Sequence, residues 1–597
     1  MLTFDDEKQS QLEEIYNEVI FGRNKVCFKV FSTEASLGKT KTIEKALVDL
    51  YYLNPSIKTL LVKPFKDRVD EFPSYKKINS LAGKEIAIAV DSDNFKHVRS
   101  KLDNYNIVII THRRYLELCK NVQERLTFTK GRTNLIIDEE LQLLKMYSLS
   151  KVNITIIEDM LKEISDGYEN AGSIFSSIIA DVEAQLVEAS NEMRLVTFTD
   201  GKIGSKVNRL LDFINANINE DYLSKYRESK KGSYNHSYKE IIKIINRVPY
   251  FFNNDSVIKV HNSLYAYDTA IKMFLLQNNI LLDASASFNY IYSLSNLFKV
   301  VPHRRILSHA NTTINYCLLN STKTAKQKYL NYNEAIIEHA VNNANSGKIL
   351  IIALKEEIDK LKEGFKATEI AKLIDYTNFK SMRGKNQWAD YNTCYTTHTP
   401  NMNYCYYAFL YELYSGNKLQ QRDLDTKKNE YGNLAFSNIE IEKTRKTYIA
   451  SDIYQGIKRV NRNNKHVANI YIIISDEEIL RTVQQQLKNV DYKQFELEIK
   501  TAERKQYDST CRFENSYAGR FLRFLLTAPD GEYSKEDIRL EIGYYEKKTF
   551  AEKVIKKAVD FMHKERALIF PCENNKTVIL YRNVEITITT RKITINS

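Results

Sequence analysis

The sequence is poor in glycine, proline and cysteine, and it contains a single tryptophan. Its 597 residues include 18 Gly, 8 Pro, 7 Cys and 1 Trp, whereas proteins average about 7% Gly and 5% Pro. Long Gly- or Pro-rich linkers are therefore excluded. No two cysteines have the CxxC spacing and no histidine cluster accompanies them, so we expect neither a structural zinc site nor a four-cysteine iron–sulfur cluster.

Long apolar runs are also missing. The longest ones, such as 349–354, have the length of a strand, whereas a membrane-spanning helix needs about 20 apolar residues. The first residues, MLTFDDEKQSQ, are acidic and polar, which is not the pattern of a signal peptide. Scattered free thiols are typical of a reducing compartment. We therefore expect a cytoplasmic protein without a membrane segment.

The residues that are present describe an ordinary folded protein of several domains. Hydrophobic residues make up 43% and charged residues 27% of the chain, and a typical domain has about 150 residues, which predicts roughly four domains. Lys and Arg number 87 against 75 Asp and Glu, a net charge of +12. This mild excess permits a polyanionic partner without requiring one.

Short apolar strands alternate with helical patterns, which predicts an α/β fold with parallel sheets. Between 141 and 279 helical periodicity dominates, and we interpret this segment as a helical insertion. The predicted strands are 26–31, 59–62, 86–90, 107–110, 135–137, 280–283, 348–354, 391–396 and 470–475.

The first predicted strand runs into STEASLGKT at 32–40, and a helix follows. A strand, a loop ending in GK[ST] and a helix form the context of a phosphate-binding loop, because the helix N-terminus offers free N–H groups. Lys39 would reach the β- and γ-phosphates and Thr40 would hold Mg²⁺. The other predicted nucleotide-binding residues of this loop are Ser36, Gly38 and Lys41. Thr33 stands where the full pattern has Gly, so a surface turn is the alternative.

A second chemical motif ends the strand at 135–137, where Asp138 and Glu139 follow three apolar residues. If this strand flanks the one before the phosphate loop, Asp138 would lie beside the metal. Glu139 would then orient or deprotonate an attacking water. The alternative is a strand that simply exits into solvent with acidic residues.

Together with further segments in the same order, these motifs resemble those of superfamily 2 helicases. The resemblance covers roughly 1–140 and 280–480, and its most specific part is QGIKRVNR at 455–462, where Lys458 replaces the Gly of the family pattern. It implies catalytic roles for Gln455, Arg459 and Arg462, with the two arginines acting on the γ-phosphate. The other segments that carry it are 61–64, 109–112, 282–287, 347–352 and 383–388.

The same resemblance implies the remaining site residues and the domains. Nucleic-acid contacts fall to Pro64, Thr111, His112 and Arg383, nucleotide contacts to Gly384 and Asn386, and coupling to Asp283, Ala284 and Ser285. Two RecA-like domains would comprise 1–140 plus 280–300 and 301–489, with the insertion at 141–279. ATP and Mg²⁺ are the expected cofactors.

Residues 490–597 resemble a winged-helix domain. Helical patterns at 517–527, 534–543 and 550–563 precede an expected hairpin around Asn574 and Asn575. A basic face on the third helix suits a DNA groove, although such domains also dock proteins. The lysines of this face are Lys548, Lys553, Lys556 and Lys557.

The function expected from these features is that of an ATP-dependent helicase or translocase, with DNA favoured over RNA as its track. A role in replication or defence of a mobile element would fit. The alternatives are an RNA helicase of the same superfamily and a non-catalytic DNA-binding scaffold with a degenerate nucleotide site. A protein partner could bind the insertion or the winged helix.

Overall fold

The computed structural model describes residues 3–64, 73–162, 164–166, 169–186, 190–218, 222–223, 238–252, 254–344, 347–382, 385, 387–428, 433–462, 464, 466–501, 516–565, 567–572, 576–582 and 584–596. The chain divides into two compact units, Met1–Lys500 and Thr501–Ser597. Each is described by itself. Among these residues, no helix is both long and apolar enough to cross a membrane.

The first lobe of the larger unit is a seven-stranded, all-parallel sheet in the order β13-β1-β12-β5-β2-β4-β3. The elements up to the insertion are α1 (Phe4–Phe21), β1 (Phe28–Phe31), α2 (Lys39–Leu53), β2 (Lys58–Lys63), α3 (Pro73–Ala82), β3 (Ala87–Ala89), α4 (Phe95–Val98), β4 (Ile107–Thr111), α5 (His112–Lys120), α6 (Val122–Thr129) and β5 (Arg132–Asp138).

Both faces of this sheet are buried, which is why its strands read as continuous apolar runs. Successive residues of a strand point to opposite faces. In β5, Leu135 and Ile137 join one core cluster whereas Ile136 joins another.

The insertion is not purely helical. It contains a four-stranded antiparallel sheet in the order β6-β11-β10-β9 beside its helices. The helical prediction missed these strands because each has at most seven residues and most of the segment between them is helical. The elements are β6 (Met146–Ser150), α7 (Lys151–Leu161), β7 (Ser165–Asp166), β8 (Glu169–Asn170), α8 (Ala171–Leu186), β9 (Ser190–Val196), α9 (Ile203–Asn217), α10 (Tyr238–Ile245), α11 (Pro249–Phe252), β10 (Val257–His261) and β11 (Ser263–Tyr267).

The chain then returns to the first sheet with β12 (Asn278–Leu282) and β13 (Phe298–Val301) and enters a second lobe. That lobe is a six-stranded parallel sheet in the order β16-β15-β17-β20-β14-β21. Its elements are β14 (Thr312–Cys317), α12 (Lys323–Lys326), α13 (Tyr332–Asn342), β15 (Ile349–Ile352), α14 (Ile358–Phe365), β16 (Ile374–Thr377), β17 (Thr393–Thr396), α15 (Tyr404–Ser415), β18 (Thr426–Lys428), β19 (Leu434–Phe436), α16 (Ile439–Ile457), β20 (Ala468–Ile473), α17 (Glu477–Gln484) and β21 (Asp491–Gln494).

Two parallel sheets confirm the predicted α/β class, although the second sheet extends beyond the expected boundary at 489. Strand β21 pairs with β14 and so belongs to the second lobe rather than to the C-terminal region. The strands β13, β14, β16 and β21 were not predicted.

Helix α15 joins the second lobe to the insertion and to the first lobe. It is apolar around most of its circumference, as expected of a helix covered on all sides. Its Phe409 packs on Tyr267 of β11 with ring centroids 5.0 Å apart, and Tyr414 packs on Phe298 of β13 at 5.8 Å. One continuous core cluster therefore spans both lobes.

The smaller unit combines three helices with a five-stranded antiparallel sheet in the order β22-β26-β25-β24-β23. The helices and the pairing of β23 with β24 agree with the sequence analysis, whereas β22, β25 and β26 were not predicted. Asn574 and Asn575 lie outside the described residues. The elements are α18 (Tyr517–Thr527), β22 (Gly531–Ser534), α19 (Lys535–Glu541), a π-helical turn (Ala551–Ile555), α20 (Lys556–Lys564), β23 (Leu568–Cys572), β24 (Lys576–Tyr581), β25 (Val584–Ile588) and β26 (Lys592–Asn596).

Candidate functional site

The loop at 32–38 leaves the carboxyl end of β1 and delivers Lys39 at the start of α2. Gly38 has φ +111°, a conformation that residues with a Cβ rarely adopt. Ser36 also has a positive φ, +78°, although it is not glycine. Its Oγ accepts a hydrogen bond from Nε of Arg462 at 2.9 Å, so a residue of the second lobe holds the strained loop.

Lys39 folds back over this loop. Its Nζ donates hydrogen bonds to the carbonyl oxygens of Thr33 and Glu34, the latter at 3.0 Å. Burial lowers the pKa of Lys39 to about 8, and the carboxylates of Asp138 and Asp283 limit the decrease. The ammonium therefore lies in an environment that disfavours its charge, and an additional anion there would stabilise it.

Asp138 ends β5 and faces Thr40, whose hydroxyl donates to its Oδ2 at 3.3 Å. Strand β5 does not pair with β1, because β12 lies between them. Asp138 nevertheless reaches the loop since the carboxyl ends of parallel strands share one edge of the sheet. Burial raises its pKa, but Lys63, at 2.8 Å, and Lys39 outweigh that effect and the net pKa is lowered.

Glu139 is positioned by a backbone of φ +69°, a conformation that is uncommon for non-glycine residues. Its N–H donates to the carbonyl of Leu282 on β12. Its Oε1 lies 3.2 Å from a guanidinium nitrogen of Arg459, whose other terminal nitrogen donates to the carbonyl of Lys385. The acidic motif of the first lobe and the arginine motif of the second are thus in direct contact.

A second bridge between the lobes connects Gln455 of α16 with the turn after β12. The amide of Gln455 lies 3.4 Å from Oδ1 of Asp283 and 3.3 Å from Oγ of Ser285. Asp283 is buried and also accepts hydrogen bonds from Ser285 and from the hydroxyl of Tyr292. The predicted coupling residues therefore contact the predicted catalytic helix.

Arg305, in the segment between the lobes, was missed by the sequence analysis. It donates to the carbonyls of Ser32 and Ala284 and to the side chain of Gln486 in the second lobe. Its guanidinium also lies over the ring of Tyr454. No motif marks this arginine in the sequence; the bonds exist only because the two sheets meet here. The ion pair of Lys63 with Asp138 was not predicted either, although Lys63 lies in the segment 61–64 that carries part of the resemblance.

The other predicted residues have varied positions. Pro64 and Lys41 line the cavity described next. Thr111 caps helix α5 by accepting from the N–H of Arg114, and His112 donates to the carbonyl of Asp138 at 2.8 Å, so both contact protein groups. Arg383, Gly384 and Asn386 lie outside the described residues. The smaller unit carries Lys548, Lys553, Lys556 and Lys557, all exposed.

These groups surround one cavity of about 690 Å³ between the lobes. The first lobe contributes the phosphate loop and the acidic motif, and the second lobe contributes Gln455, Lys458, Arg459 and Arg462. A cavity with cations and backbone N–H groups at one end and two carboxylates beside them has the chemistry of a site for a phosphorylated ligand with its metal ion. Among the described residues, no cluster of three His, Cys, Asp or Glu side chains could hold a metal without such a ligand.

Comparisons with known proteins give matches in structure only. No protein-family model matches the sequence, and no curated protein matches it significantly. S. cerevisiae Dbp5 bound to RNA and ADP BeF3 is 10% identical, with a TM-score of 0.35 over 81% of this chain and 88% of that one. The DUF1998 helicase MrfA bound to DNA is 10% identical, with a TM-score of 0.32 over 81% of this chain and 52% of that one.

A DEAD box protein from the hyperthermophile Methanococcus jannaschii is 12% identical, with a TM-score of 0.27 over 83% of this chain and 98% of that one. The fold class itself follows from the topology. Two parallel sheets, joined in series, with the loop at 32–38 on the first facing an arginine-bearing helix end of the second, form a two-lobed α/β fold.

Gly456 allows α16 to approach the segment after β16. A Cβ at this position would lie 2.8 Å from Cε1 of Phe379. We therefore expect Gly456→Ala to destabilise the larger unit by about 1–3 kcal/mol through overpacking. Gly204 of α9 is the matched control, since nothing lies within 4 Å of its Cβ position. Gly204→Ala should leave stability unchanged or raise it by up to about 1 kcal/mol.

The measurement is denaturant unfolding followed by the fluorescence of Trp388, the single tryptophan of the chain, which is buried in the larger unit. Equal midpoints for Gly456→Ala and the wild type would show that the close approach of α16 is not needed.

Proposed function

We propose that this chain is an ATP-dependent helicase or translocase that acts on nucleic acid, with DNA favoured over RNA as its substrate. The observation that carries the proposal is the convergence of the phosphate loop and Glu139 from one lobe with Arg459 and Arg462 from the other on a single cavity. A nucleoside triphosphate bound in such a site would contact both lobes and hold them close to each other. Hydrolysis would remove some of these contacts and allow the lobes to separate.

In this mechanism Lys39 leaves its carbonyl partners for the phosphates, where its charge is better stabilised. Arg459 contacts Glu139 in the structure, and the γ-phosphate would compete for that guanidinium. Once Arg459 binds phosphate, the Glu139 carboxylate is free to accept a proton from the attacking water. Arg462 beside Ser36 would stabilise the charge that develops on the phosphates.

Thr40 and Asp138 would hold Mg²⁺, because a hydroxyl and a carboxylate oxygen 3.3 Å apart are ligands of the type that this ion prefers. Bound there, Mg²⁺ supplies positive charge to the β- and γ-phosphates. Lys63, which lies 2.8 Å from Asp138, would have to give up or share that carboxylate. Metal binding would therefore change the position of Lys63, and with it the segment at 61–64 that is predicted to contact nucleic acid.

Movement along a strand requires that the ATP and ADP states bind nucleic acid with different affinities. The contacts of Gln455 with Asp283 and Ser285 give a route by which the state of the cavity changes the position of the second lobe. The strand would be held mainly by its phosphates, with Pro64, Thr111 and Arg383 as contacts in the larger unit.

The smaller unit would act as a winged-helix module on duplex DNA. Its three helices and antiparallel sheet support this proposal, as do the exposed lysines before and along α20. Lys547 and Lys553 are paired with Glu536 and Glu546, whereas Lys556 and Lys557 are exposed near the start of α20 and available to phosphates.

Steady-state ATP hydrolysis tests the motor. We expect one polymer among single-stranded DNA, duplex DNA and RNA to stimulate hydrolysis strongly, and Lys39→Ala to abolish the stimulated rate because it removes the cation at the phosphates. Lys45→Ala, an exposed lysine of the same helix, is the control and should retain the wild-type rate.

Hydrolysis no greater than that of Lys39→Ala with every polymer would refute the motor and favour a non-catalytic scaffold. Stimulation by RNA alone would refute DNA as the track.

Salt dependence of duplex DNA binding tests the smaller unit. For Lys556→Ala/Lys557→Ala we expect weaker binding and a slope of log K against log salt that is lower by about 2, since each phosphate-contacting lysine contributes about 1. The control, Arg520→Ala/Arg523→Ala on α18, changes the same total charge and should keep the slope. An identical loss in both variants would indicate a general charge effect and contradict a role for the α20 face.

A further inference from the structure

Lys458 is a buried cation that the proposed mechanism does not use. It directly follows α16, is 6% exposed and lines the cavity together with Arg459 and Arg462. Its Nζ lies 2.6 Å from Nε2 of His309. Burial and the charge of Lys458 lower the pKa of His309 to about 3, so this partner is a neutral ring that accepts a hydrogen bond and neutralises no charge.

Glu34 is a buried carboxylate within the phosphate loop. Its side chain is completely buried, and its Oε2 accepts hydrogen bonds from the backbone N–H groups of Ile306 and Leu307 at 2.6 and 3.0 Å. Its Oε1 has no hydrogen-bond partner among the described residues. A buried carboxylate in a loop that must receive a polyanion would repel that ligand unless a cation offsets it.

Glu34 and Lys458 are electrostatically coupled. Burial lowers the pKa of Lys458 to about 8, and the carboxylate of Glu34 is the strongest of the charges acting on it and raises it. The next strongest charges acting on Lys458 are cations, and each lowers its pKa: Arg305 from the segment between the lobes, Arg462 from the second lobe and Lys39 from α2.

The segment between the lobes contacts both Glu34 and Lys458. Ile306 and Leu307 bind the Glu34 carboxylate, and His309, two residues later, binds Lys458. His309 is itself fixed, since its N–H donates to the carbonyl of Lys488 and its carbonyl accepts from Thr312. The phosphate loop, the segment between the lobes and the arginine motif therefore form one buried polar cluster at the edge of the cavity.

We propose that Lys458 is a triphosphate-binding residue whose charge offsets Glu34, so that the second lobe supplies a third cation to the ligand beside Arg459 and Arg462. The inference rests on the proposed nucleotide site. The chain departs from the motif patterns at two positions, with an acidic residue in the phosphate loop and a lysine where the motif at 455–462 otherwise has glycine. The proposal explains both, because the charge of each residue offsets the charge of the other.

A double-mutant cycle tests the proposal, with equilibrium binding of a fluorescent ATP analogue and of the matching ADP analogue to the full-length protein as the readouts. We expect Lys458→Met to weaken ATP binding at least tenfold and ADP binding by less. Glu34→Gln should bind ATP at least as tightly as the wild type, since an amide oxygen still accepts from Ile306 and Leu307. Glu34→Gln/Lys458→Met should recover ATP binding to within about threefold of the wild type.

Thermal unfolding of each variant without nucleotide separates loss of binding from loss of fold. If Lys458→Met does not fold, Glu34→Gln decides alone, and a tenfold loss of ATP affinity in that folded variant would overturn the inference. A double variant that binds ATP as weakly as Lys458→Met would also overturn it.

The outcome is separable from that of the proposed function. Wild-type binding that is lost in Lys39→Ala but unchanged in Lys458→Met would refute only the role of Lys458. No binding of ATP by the wild type would refute the nucleotide site and this inference together.

Discussion

The contact between Glu139 and Arg459 is the interaction on which the rest of the site depends. It joins a carboxylate at the end of β5 to a guanidinium that follows α16, 3.2 Å away and in the other lobe. Neither group would be positioned without its own sheet, because each projects from the carboxyl edge or helix end that the sheet supports. Two further contacts between the lobes lie near this pair, Arg462 with Ser36 and Gln455 with Asp283. Arg305 adds hydrogen bonds from the segment between the lobes to Ala284 and Gln486.

The lobes also share an apolar core, which limits how they can separate. Helix α15 belongs to the second lobe but packs on the insertion through Phe409 and on the first lobe through Tyr414. Opening the cavity by a large rotation would expose these rings, and the burial of aromatic side chains contributes strongly to stability. The structure therefore favours small relative movements near the polar contacts of Gln455 and Arg459 over a wide opening of the whole unit.

Much of the fold could be predicted from local pattern, and the reasons for the failures are physical. The strands that bear motifs were found because continuous apolar runs signal a buried parallel sheet. Strands such as β14 and β21 escaped because polar residues, for example Asn315 and those of the exposed strand Asp491–Gln494, interrupt that pattern. At the site, Lys39, Asp138, Glu139, Gln455 and both arginines were predicted from short motifs, and all of them line the one cavity. Arg305, Lys63 and the pairing of Glu34 with Lys458 were not, because they arise from contacts between distant segments.

The most direct test of this account is to separate ATP binding from ATP hydrolysis at the contact between the lobes. In Arg459→Ala, Lys39 and the phosphate loop remain intact, so ATP affinity should stay within a few-fold of the wild type. The hydrolysis rate in the presence of the stimulating polymer should fall by about 10³-fold, the magnitude associated with such an arginine. A stimulated rate equal to that of the wild type would contradict the claim that the second lobe completes the site.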